Sequence, residues 1–468
     1  MFLEVVRSEG LAHLSYVLGD HGRAAVIDPR RDCQVYLDIA RRRQAVIAHV
    51  IETHRNEDYV IGSMELTHQC GAEIFHGKAM NFKYGKATSE GDTFELGDIL
   101  LRVLETPGHT DESISITLAD TGCSEDPVAA FTGDTLFVGE VGRTDFFPDR
   151  AEEVAGLLYG SIFGKLLPLG DHVILYPAHG AGSVCGSAMA AREFSTLGYE
   201  RLHNPRLQMT RKQFVHFKVN EHHYQPAYFR RMEAYNLSGD APPPERVMPP
   251  APLSPDELDD KMRKGMQVLD VRSPEAFAGA FVPGSLSIPL GTVPAFAGYL
   301  LSFDQEIALV VEDTDDVGTA TTYLARIGYD RVVGFLAGGL SAWEKSGRPF
   351  DSVGSVSAEE LKRRLKAGDQ FTLLDVRSED EVNRQRLPDA RHVYVGLLPD
   401  RLEEIPRDRP VVTLCDAGRR AVIAASILRK NGFGRVATVP GSMQACQAVG
   451  CTLVGGHAEA EETRSRGQ

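Results

Sequence analysis

The sequence is short of paired cysteines, basic charge and long apolar runs, and each shortage excludes a class of protein. Its seven cysteines are an odd number, are scattered and form no C-x-x-C pair, which argues against a disulfide framework or zinc knuckle and favours a reducing compartment. With 65 acidic against 50 basic residues, the net charge of -15 argues against nucleic acid as a partner. No stretch approaches the roughly 18–20 apolar residues of a membrane span, and residues 1–4 begin no signal peptide. We therefore expect a cytoplasmic protein.

Two features predict how the 468 residues divide into about three domains. A segment with six prolines, residues 238–252, can form neither a helix nor a central strand, so we interpret it as an extended linker. Beyond it the chain contains a repeat, because V-L-D-V-R-S at 268–273 recurs as L-L-D-V-R-S at 373–378. We predict three domains, at residues 1–237, 253–352 and 353–456. Residues 457–468 are predicted to form a disordered tail.

Metal-competent side chains follow several predicted strands of the first domain. The apolar run at 45–51 ends in I-E-T-H-R-N-E-D-Y, which delivers His54 and Asp58 to the end of a buried strand. Three later strand-to-loop junctions each offer one further donor: His109 in P-G-H-T, Asp134 in T-G-D-T and His179 in P-A-H-G. Because ligands gather at strand ends in layered α/β folds, we expect these side chains to lie together.

The order of these motifs resembles the metallo-β-lactamase superfamily, whose first motif is H-x-H-x-D-H. Here Asn56 and Tyr59 replace two of its histidines, and both are poor ligands for zinc or iron, so a two-metal centre is not expected. The good donors His54, His109 and Asp134 match the facial triad of non-haem Fe(II) oxygenases. Together with G-R-T-D-F at 142–146, they resemble the persulfide dioxygenases.

That resemblance implies an αββα sandwich that holds one Fe(II) per chain and oxidises a low-molecular-weight persulfide, such as glutathione persulfide, with O2 to sulfite and thiol. Asp58 and Tyr59 are then expected to face the substrate or to support the ligands. For His179 the same role and direct ligation both remain open. Arg143 either anchors anionic groups of the carrier thiol or forms a structural ion pair.

The second copy of the repeat carries a candidate nucleophile. The apolar run at 411–414 is followed by C-D-A-G-R-R and then by a predicted helix, so Cys415 lies in a tight loop at a helix N-terminus. Backbone N–H groups and the helix dipole stabilise a thiolate there. Gly418 permits the turn, and Arg419 and Arg420 add positive charge. The first copy has V-V-E-D-T-D-D at 310–316 and no cysteine, so we predict that it is non-catalytic.

These motifs resemble the rhodanese domain, an α/β fold with a parallel sheet. The resemblance implies that Cys415 moves sulfane sulfur between persulfide, sulfite and thiosulfate. Departures from the family, R-Q-R-L-P at 384–388 and Gly441-Ser442 in place of Gly-Gly, bear on substrate choice and rate.

Taken whole, the chain resembles fusions of a persulfide dioxygenase with two rhodanese modules, which implies sulfide detoxification. Two alternatives stay open: a glyoxalase II-like thioester hydrolase, which needs a metal pair, and a non-catalytic sulfur-carrier scaffold. The identity of the carrier thiol, the direction of sulfur transfer and the oligomeric state, a homo-oligomer included, also stay open.

Overall fold

A computed structural model describes residues 1–183, 189–243 and 249–455, so the predicted tail at 457–468 lies outside the described residues. Contacts divide the chain into two compact units, residues 1–247 with 322–330 and residues 248–321 with 331–468. The three domain limits given above remain a prediction. Across the described ranges, no helix is both long and apolar enough to cross a membrane.

The first unit contains two six-stranded mixed sheets. The first sheet has the order β1-β2-β3-β4-β5-β6, antiparallel up to β3 and parallel from there on; its strands are β1 (Phe2–Ser8), β2 (His13–Asp20), β3 (Arg23–Ile27), β4 (Val46–Glu52), β5 (Glu73–Gly77) and β6 (Lys86–Thr88). The second sheet has the order β12-β11-β10-β9-β8-β7; its strands are β7 (Thr93–Leu96), β8 (Ile99–Glu105), β9 (Ile114–Asp120), β10 (Pro127–Gly133), β11 (Ile174–Pro177) and β12 (Ser195–Thr196).

Helices cover the outer faces of both sheets. They are α1 (Gln34–Arg42), α2 (Ser63–Cys70), α3 (Ala151–Ser161), α4 (Leu197–His203), α5 (Arg211–Val219) and α6 (Phe229–Ser238), and a π-helical turn at Ile162–Leu166 continues α3. One apolar core, including Leu18 and Leu101, lies between the two sheets. A second core joins α1 and α2 to the first sheet through Tyr36, and a third joins α3 and α5 to the second sheet through Leu158. Full burial of an apolar side chain such as Leu18 or Leu101 stabilises the folded state by about 1.5–3 kcal/mol. Together the two sheets and the helices outside them form the predicted αββα sandwich.

The second unit contains two five-stranded parallel sheets of the same topology. Their orders, β13-β17-β16-β14-β15 and β18-β22-β21-β19-β20, correspond strand for strand, as the repeat predicts. The first copy consists of β13 (Ala251–Leu253), α7 (Pro255–Arg263), β14 (Gln267–Asp270), α8 (Pro274–Gly279), β15 (Leu286–Ser287), α9 (Val293–Leu300), β16 (Ile307–Val310), α10 (Asp316–Arg326), β17 (Val332–Leu336) and α11 (Gly339–Lys345). The second copy consists of β18 (Gly354–Ser355), α12 (Ala358–Ala367), β19 (Thr372–Asp375), α13 (Glu379–Arg384), β20 (Arg391–His392), β21 (Val411–Leu414), α14 (Arg419–Lys430), β22 (Val436–Thr438) and α15 (Ser442–Ala448).

Helix α14 is buried along nearly its whole length, from Ala421 to Leu428, and it contacts both copies of the repeat. On the side of the first copy, the backbone N–H of Ser287 donates to Ser426 Oγ at 3.0 Å. One turn further on, Nε of Arg429 donates to Oδ2 of Asp351 at 3.1 Å. The first copy therefore packs against the helix that follows the Cys415 loop.

Candidate functional site

Three side chains from separate loops of the first unit bring their donor atoms together. His54 follows β4, His109 follows β8 and Asp134 follows β10, and all three side chains are buried. Nε2 of His54 and Nε2 of His109 lie 3.9 and 3.7 Å from Oδ2 of Asp134. All three atoms lie within 4.8 Å of one another. The strand ends thus place two imidazoles and one carboxylate at a single point.

Hydrogen bonds behind the two histidines decide which ring nitrogen faces this point. Nδ1 of His54 donates to Thr53 Oγ1 at 2.9 Å, because that hydroxyl gives its own proton to Asp28 Oδ2 at 2.7 Å. Nδ1 of His109 donates to the carbonyl oxygen of Arg143 at 3.0 Å. With the protons on Nδ1, each Nε2 keeps a lone pair directed toward Asp134, which is the arrangement that a metal requires.

The donor set fits a metal ion. Nε2 of His54, Nε2 of His109 and Oδ2 of Asp134 are buried and have no hydrogen-bond partner among the described residues. A buried polar group without a hydrogen bond destabilises the folded state by about 1–3 kcal/mol. Three such lone-pair donors at one point are therefore expected to bind a cation. Burial lowers the pKa of His54 to about 4, which keeps the ring neutral and able to bind a metal at neutral pH. Two imidazoles with one carboxylate suit Fe(II) in a site with open positions.

His179 joins two carboxylates beside this triad. Its Nδ1 donates to Asp134 Oδ1 at 2.7 Å, and its Nε2 lies 3.0 Å from Asp58 Oδ2. Burial alone would raise the pKa of Asp134, but the contact with His179 and the charges of the other histidines lower it below its ordinary value. For Asp58 burial outweighs the same neighbour, and its pKa is raised. His179 therefore fixes one oxygen of Asp134 and leaves the other facing the two ligand rings.

The two residues that replace motif histidines make local contacts. Tyr59 is fully buried, its hydroxyl lies 3.5 Å from the carbonyl oxygen of Asp28, and its ring packs on His13 at 4.2 Å. Asn56 donates from Nδ2 to the carbonyl oxygen of His54 at 3.2 Å. In these contacts Tyr59 and Asn56 pack against the backbone around the triad.

Arg143 is fully buried behind His109. Its Nε and Nη2 donate to the two carboxylate oxygens of Asp145 at 2.7 and 2.6 Å. Its guanidinium carbon lies 4.8 Å from the centroid of the Phe146 ring and 5.7 Å from that of Phe229. Planar guanidinium groups stack well on aromatic faces and bind carboxylates bidentately, so these contacts hold the side chain in one orientation. They also hold the backbone of Arg143 in place, so that its carbonyl oxygen accepts the hydrogen bond from His109 Nδ1.

In the second unit, Cys415 lies in the predicted loop between β21 and α14, and it is buried. Gly418 adopts φ +103° at the N-cap of α14, a conformation that L side chains rarely adopt. This turn directs the backbone N–H of Gly418 at Cys415 Sγ, 3.1 Å away. A donor at this distance favours the anionic form of a sulfur.

The two arginines of the loop differ in their contacts. Arg420 donates from Nη1 and Nη2 to the two carboxylate oxygens of Glu381 at 2.6 and 2.7 Å. Burial alone would raise the pKa of Glu381, but the bonds from Arg420 lower it to about 2. Arg419 lies in the first turn of α14 and is exposed. The charge of Arg420 is thus matched by a carboxylate beside the loop, while Arg419 faces solvent.

Comparison with known proteins matches each half of the chain to a protein family. The profile of the Metallo-beta-lactamase superfamily matches residues 9–179, and the rhodanese-like domain profile matches residues 254–346 and 357–448. A metallo-beta-lactamase of Staphylococcus aureus, known as a crystal structure, is 31% identical with a TM-score of 0.64, covering 72% of this chain and 98% of its own. A sulfurtransferase of Allochromatium vinosum is 34% identical over 102 residues, which are 22% of this chain and 95% of the relative. The chain belongs to both families.

The metallo-beta-lactamase domain also has curated enzyme relatives. The mitochondrial persulfide dioxygenase ETHE1 of Bos taurus is 29% identical over 209 residues, covering 43% of this chain and 74% of the relative. The persulfide dioxygenase and sulfurtransferase relatives support an enzyme with both kinds of activity in principle.

The first rhodanese domain lacks the cysteine, the glycine and the two arginines of the Cys415 loop. Val271 N–H donates to the carbonyl of Val310 just as Val376 N–H donates to that of Leu414, so Val311 stands where the second domain has Cys415. On the same alignment Thr314 replaces the glycine, and Asp315 and Asp316 replace the two arginines. Carboxylates in those places would repel a thiolate and its anionic substrates.

Three acidic residues near the two sites were not predicted from the sequence; Glu57 and Asp28 are buried, and Glu381 is partly buried. Glu57 Oε2 lies 3.6 Å from His109 Nε2. Burial alone would lower the pKa of His109, but Glu57, Asp134 and the carbonyl of Arg143 together raise it. Asp28, which the sequence indicates only as the end of a strand, holds Thr53, and Glu381 holds Arg420. The available signal for Glu57 was a charged residue inside a motif at the end of a buried strand.

Proposed function

We propose that the metallo-beta-lactamase domain is an iron-dependent persulfide dioxygenase and that the second rhodanese domain is a sulfurtransferase. The first half rests on one observation: three buried donor atoms from separate strand ends converge, and none of them has a hydrogen-bond partner among the described residues. In the balanced reaction, RSSH, O2 and H2O give RSH, SO3²⁻ and two protons. Four electrons pass from the sulfane sulfur to O2.

His54, His109 and Asp134 would hold one Fe(II), which would supply the open coordination and redox chemistry that oxidation of a persulfide by O2 needs. The chain prepares that site before any ligand binds. Thr53 and the carbonyl of Arg143 keep the ring protons on Nδ1, and His179 holds Asp134 Oδ1. Burial of all three ligand side chains excludes bulk water, which strengthens the interaction between the donor atoms and a cation.

A stoichiometry of one iron per chain is supported by the contacts of the remaining motif residues. Asn56 and Tyr59 offer an amide and a phenol in place of imidazoles, and Asp58 and His179 bond to each other at 3.0 Å. A thioester hydrolase of the glyoxalase II type would need a second metal there to hold hydroxide.

A low-molecular-weight persulfide, such as glutathione persulfide, is the proposed substrate, and the name of the enzyme relative, a persulfide dioxygenase, supports this class. Asp58, Tyr59 and His179 are proposed to support the ligands from behind. The bidentate contact with Asp145 supports a structural role for the Arg143 guanidinium. Binding of anionic groups of the carrier thiol by Arg143 is the alternative, and the two roles predict different results below.

In the rhodanese reaction, the thiolate of Cys415 attacks the outer sulfur of thiosulfate. A new S–S bond forms to Cys415 as the S–S bond of thiosulfate breaks, and sulfite leaves with the electron pair. A thiolate then takes the sulfur and regenerates Cys415, and the resulting persulfide is a substrate for the first domain. The same steps in reverse make thiosulfate from persulfide and sulfite. The N–H of Gly418 supports the anionic sulfur in both directions, and Arg419 is placed to attract anionic substrates.

The decisive experiment combines metal analysis with oxygen uptake. Protein purified without oxygen is loaded with Fe(II), and its metal content, its O2 uptake on adding glutathione persulfide and its sulfite release are measured. We expect one iron per chain, equal amounts of O2 consumed and sulfite formed, and loss of both in His109→Ala. His76→Ala is the control, since that buried histidine bonds to Gly77 and Tyr84 instead. Two zinc ions per chain with thioester hydrolysis would show a hydrolase, and iron without turnover would show a carrier scaffold.

A further inference from the structure

The residue that begins the last helix of each copy, close to Cys415 in the second, differs between the two copies. Helices α11 and α15 begin at equivalent positions, with Gly339 in the first copy and Ser442 in the second. Both residues have positive φ, +58° at Gly339 and +44° at Ser442. Glycine adopts this conformation freely, whereas a residue with a Cβ pays about 1–2 kcal/mol for it. The serine is thus found at a strained position, in the copy that keeps the cysteine.

The hydroxyl of Ser442 contacts the cysteine twice. Its Oγ accepts the backbone N–H of Cys415 at 3.1 Å and the thiol of Cys415 at a sulfur-to-oxygen distance of 3.7 Å. The hydroxyl proton is also within reach of the carbonyl oxygen of Val439, 2.9 Å away. The side chain is fully buried, so water does not compete for these contacts.

These contacts give the hydroxyl two alternative acceptors and one fixed donor. The N–H of Cys415 holds Oγ in place, while the single hydroxyl proton can point at the carbonyl of Val439 or at the sulfur. A neutral thiol donates to Oγ and is only a weak acceptor, so the carbonyl then receives the hydroxyl proton. An anionic sulfur accepts a much stronger hydrogen bond, so the proton turns toward it when Cys415 ionises or carries a persulfide.

We propose that Ser442 is a catalytic residue of the second rhodanese domain, whose hydroxyl donates to the sulfur of Cys415 in its anionic forms. It adds a side-chain donor to the backbone donor of Gly418. The proposal rests on the sulfurtransfer function proposed above for Cys415. It explains why the first copy, which has Val311 at the cysteine position, carries glycine where the second carries a strained serine.

The test uses two variants of the full chain that both lose the hydroxyl but affect the backbone in opposite ways. Ser442→Gly relieves the positive φ, and Ser442→Ala keeps it. The rate of Cys415 carbamidomethylation by iodoacetamide at pH 7 is followed by mass spectrometry, together with thermal unfolding. We expect both variants to react about ten-fold more slowly than the parent, the effect of removing one hydrogen bond to a charged group. We also expect Ser442→Gly to unfold at a higher temperature than Ser442→Ala.

Ser426→Ala, which removes another buried hydroxyl of the same domain, is the control and should react at the parent rate. Slowing in only one of the two Ser442 variants would follow backbone geometry and overturn the proposal, as would rates within two-fold of the parent in either. If Ser442→Ala fails to fold, Ser442→Gly decides alone. Alkylation does not depend on sulfur transfer, so a parent protein that takes no sulfur from thiosulfate would refute the proposed function while this test of Ser442 still stands.

Discussion

The hydroxyl of Thr53 lies 2.9 Å from Nδ1 of His54 and gives its own proton to Asp28, 2.7 Å away. The backbone N–H of Thr53 donates to the other oxygen of the same carboxylate at 2.7 Å. One residue therefore connects a buried carboxylate to the ring of a proposed metal ligand. It fixes both the orientation of that ring and the nitrogen that carries the proton.

Thr53→Val should weaken metal binding without unfolding the domain. Valine keeps the shape of threonine but cannot accept the proton of His54 Nδ1, so the ring loses its orientation and part of its basicity. Outer-shell changes of this kind cost about 10–100-fold in metal affinity. Competition of the protein with a coloured chelator for Co(II) or Fe(II) measures the change. Thr117→Val, at another buried hydroxyl of the same sheet sandwich, should leave the affinity at the parent value.

Arg143→Met should lower stability more than affinity for the persulfide. The substitution leaves the partly buried carboxylate of Asp145 without its bidentate partner, and breaking a fully buried pair costs about 3 kcal/mol, which is the upper value expected for this pair. Calorimetry of Arg143→Met, Asp145→Asn and the double variant should show that the double variant is more stable than the sum of the single losses predicts. An unchanged melting temperature with a raised KM for glutathione persulfide would instead show that Arg143 anchors the carrier thiol.

The same pair predicts an acid-sensitive step. Burial alone would raise the pKa of Asp145, but Arg143 holds it below its ordinary value. The stability that this carboxylate contributes is therefore complete above its unfolded pKa of about 4 and is lost as the pH falls toward the depressed value. The difference in melting temperature between the parent and Asp145→Asn should be largest at neutral pH and shrink below pH 4. A difference that stays constant across this range would contradict the ion-pair account.

Cys415→Ser should separate the two chemistries. Exchange of sulfur between thiosulfate and a thiol should disappear, while O2 uptake with added glutathione persulfide stays near the parent level. Mass spectrometry of the thiosulfate-treated parent should show a gain of about 32 Da, one sulfur atom, on the peptide that contains Cys415. Val311→Cys in the Cys415→Ser background serves as a control: that cysteine should not regain exchange, because Asp315 and Asp316 stand beside it. An adduct on Cys446 or Cys451 would overturn the assignment.

Glu381→Gln should increase the reactivity of Cys415 toward anionic reagents more than toward neutral ones. The carboxylate matches the charge of Arg420, which interacts electrostatically with Cys415, so its removal adds one net positive charge near the sulfur. Alkylation by anionic iodoacetate should accelerate about three-fold relative to neutral iodoacetamide, from Coulomb's law at several ångströms in a water-like dielectric. Glu360→Gln makes the same charge change at an exposed ion pair with Arg363 and should leave the ratio unaltered. An unaltered ratio in Glu381→Gln would refute the neutralisation of Arg420.

The layers of the fold and the duplication were predictable because they depend on patterns that are local in sequence. The run at 45–51 predicts a strand with His54 just beyond its end, and the repeated L-D-V-R-S predicts two equivalent sheets. In the structure β4 ends at Glu52, shortly before His54, and the two sheets have the same strand order. The ends of strands in one layered domain meet at one edge, which is why His54, His109 and Asp134 could be grouped before their distances were known.

The supporting contacts were not predictable, because they join residues that are distant in the chain. Nothing near Asp28 indicates that β3 lies beside β4 in a register that aims its carboxylate at Thr53. Likewise Glu381 reads as the third residue of a helix capping box, a role it also fills, and only the tertiary fold brings Arg420 to it. From the sequence alone Arg420 is expected to add positive charge beside the sulfur, whereas in the fold Glu381 compensates that charge.

The packing of helix α14 gives the first copy, which has no cysteine, a structural role in the second unit. The helix turns residues of its buried surface toward the first copy, where Ser426 accepts the N–H of Ser287 and Arg429 binds Asp351. A deletion of the first copy would leave apolar side chains of this helix in water and a guanidinium without its carboxylate. The first copy is therefore expected to stabilise the domain that carries Cys415, although it has no cysteine of its own.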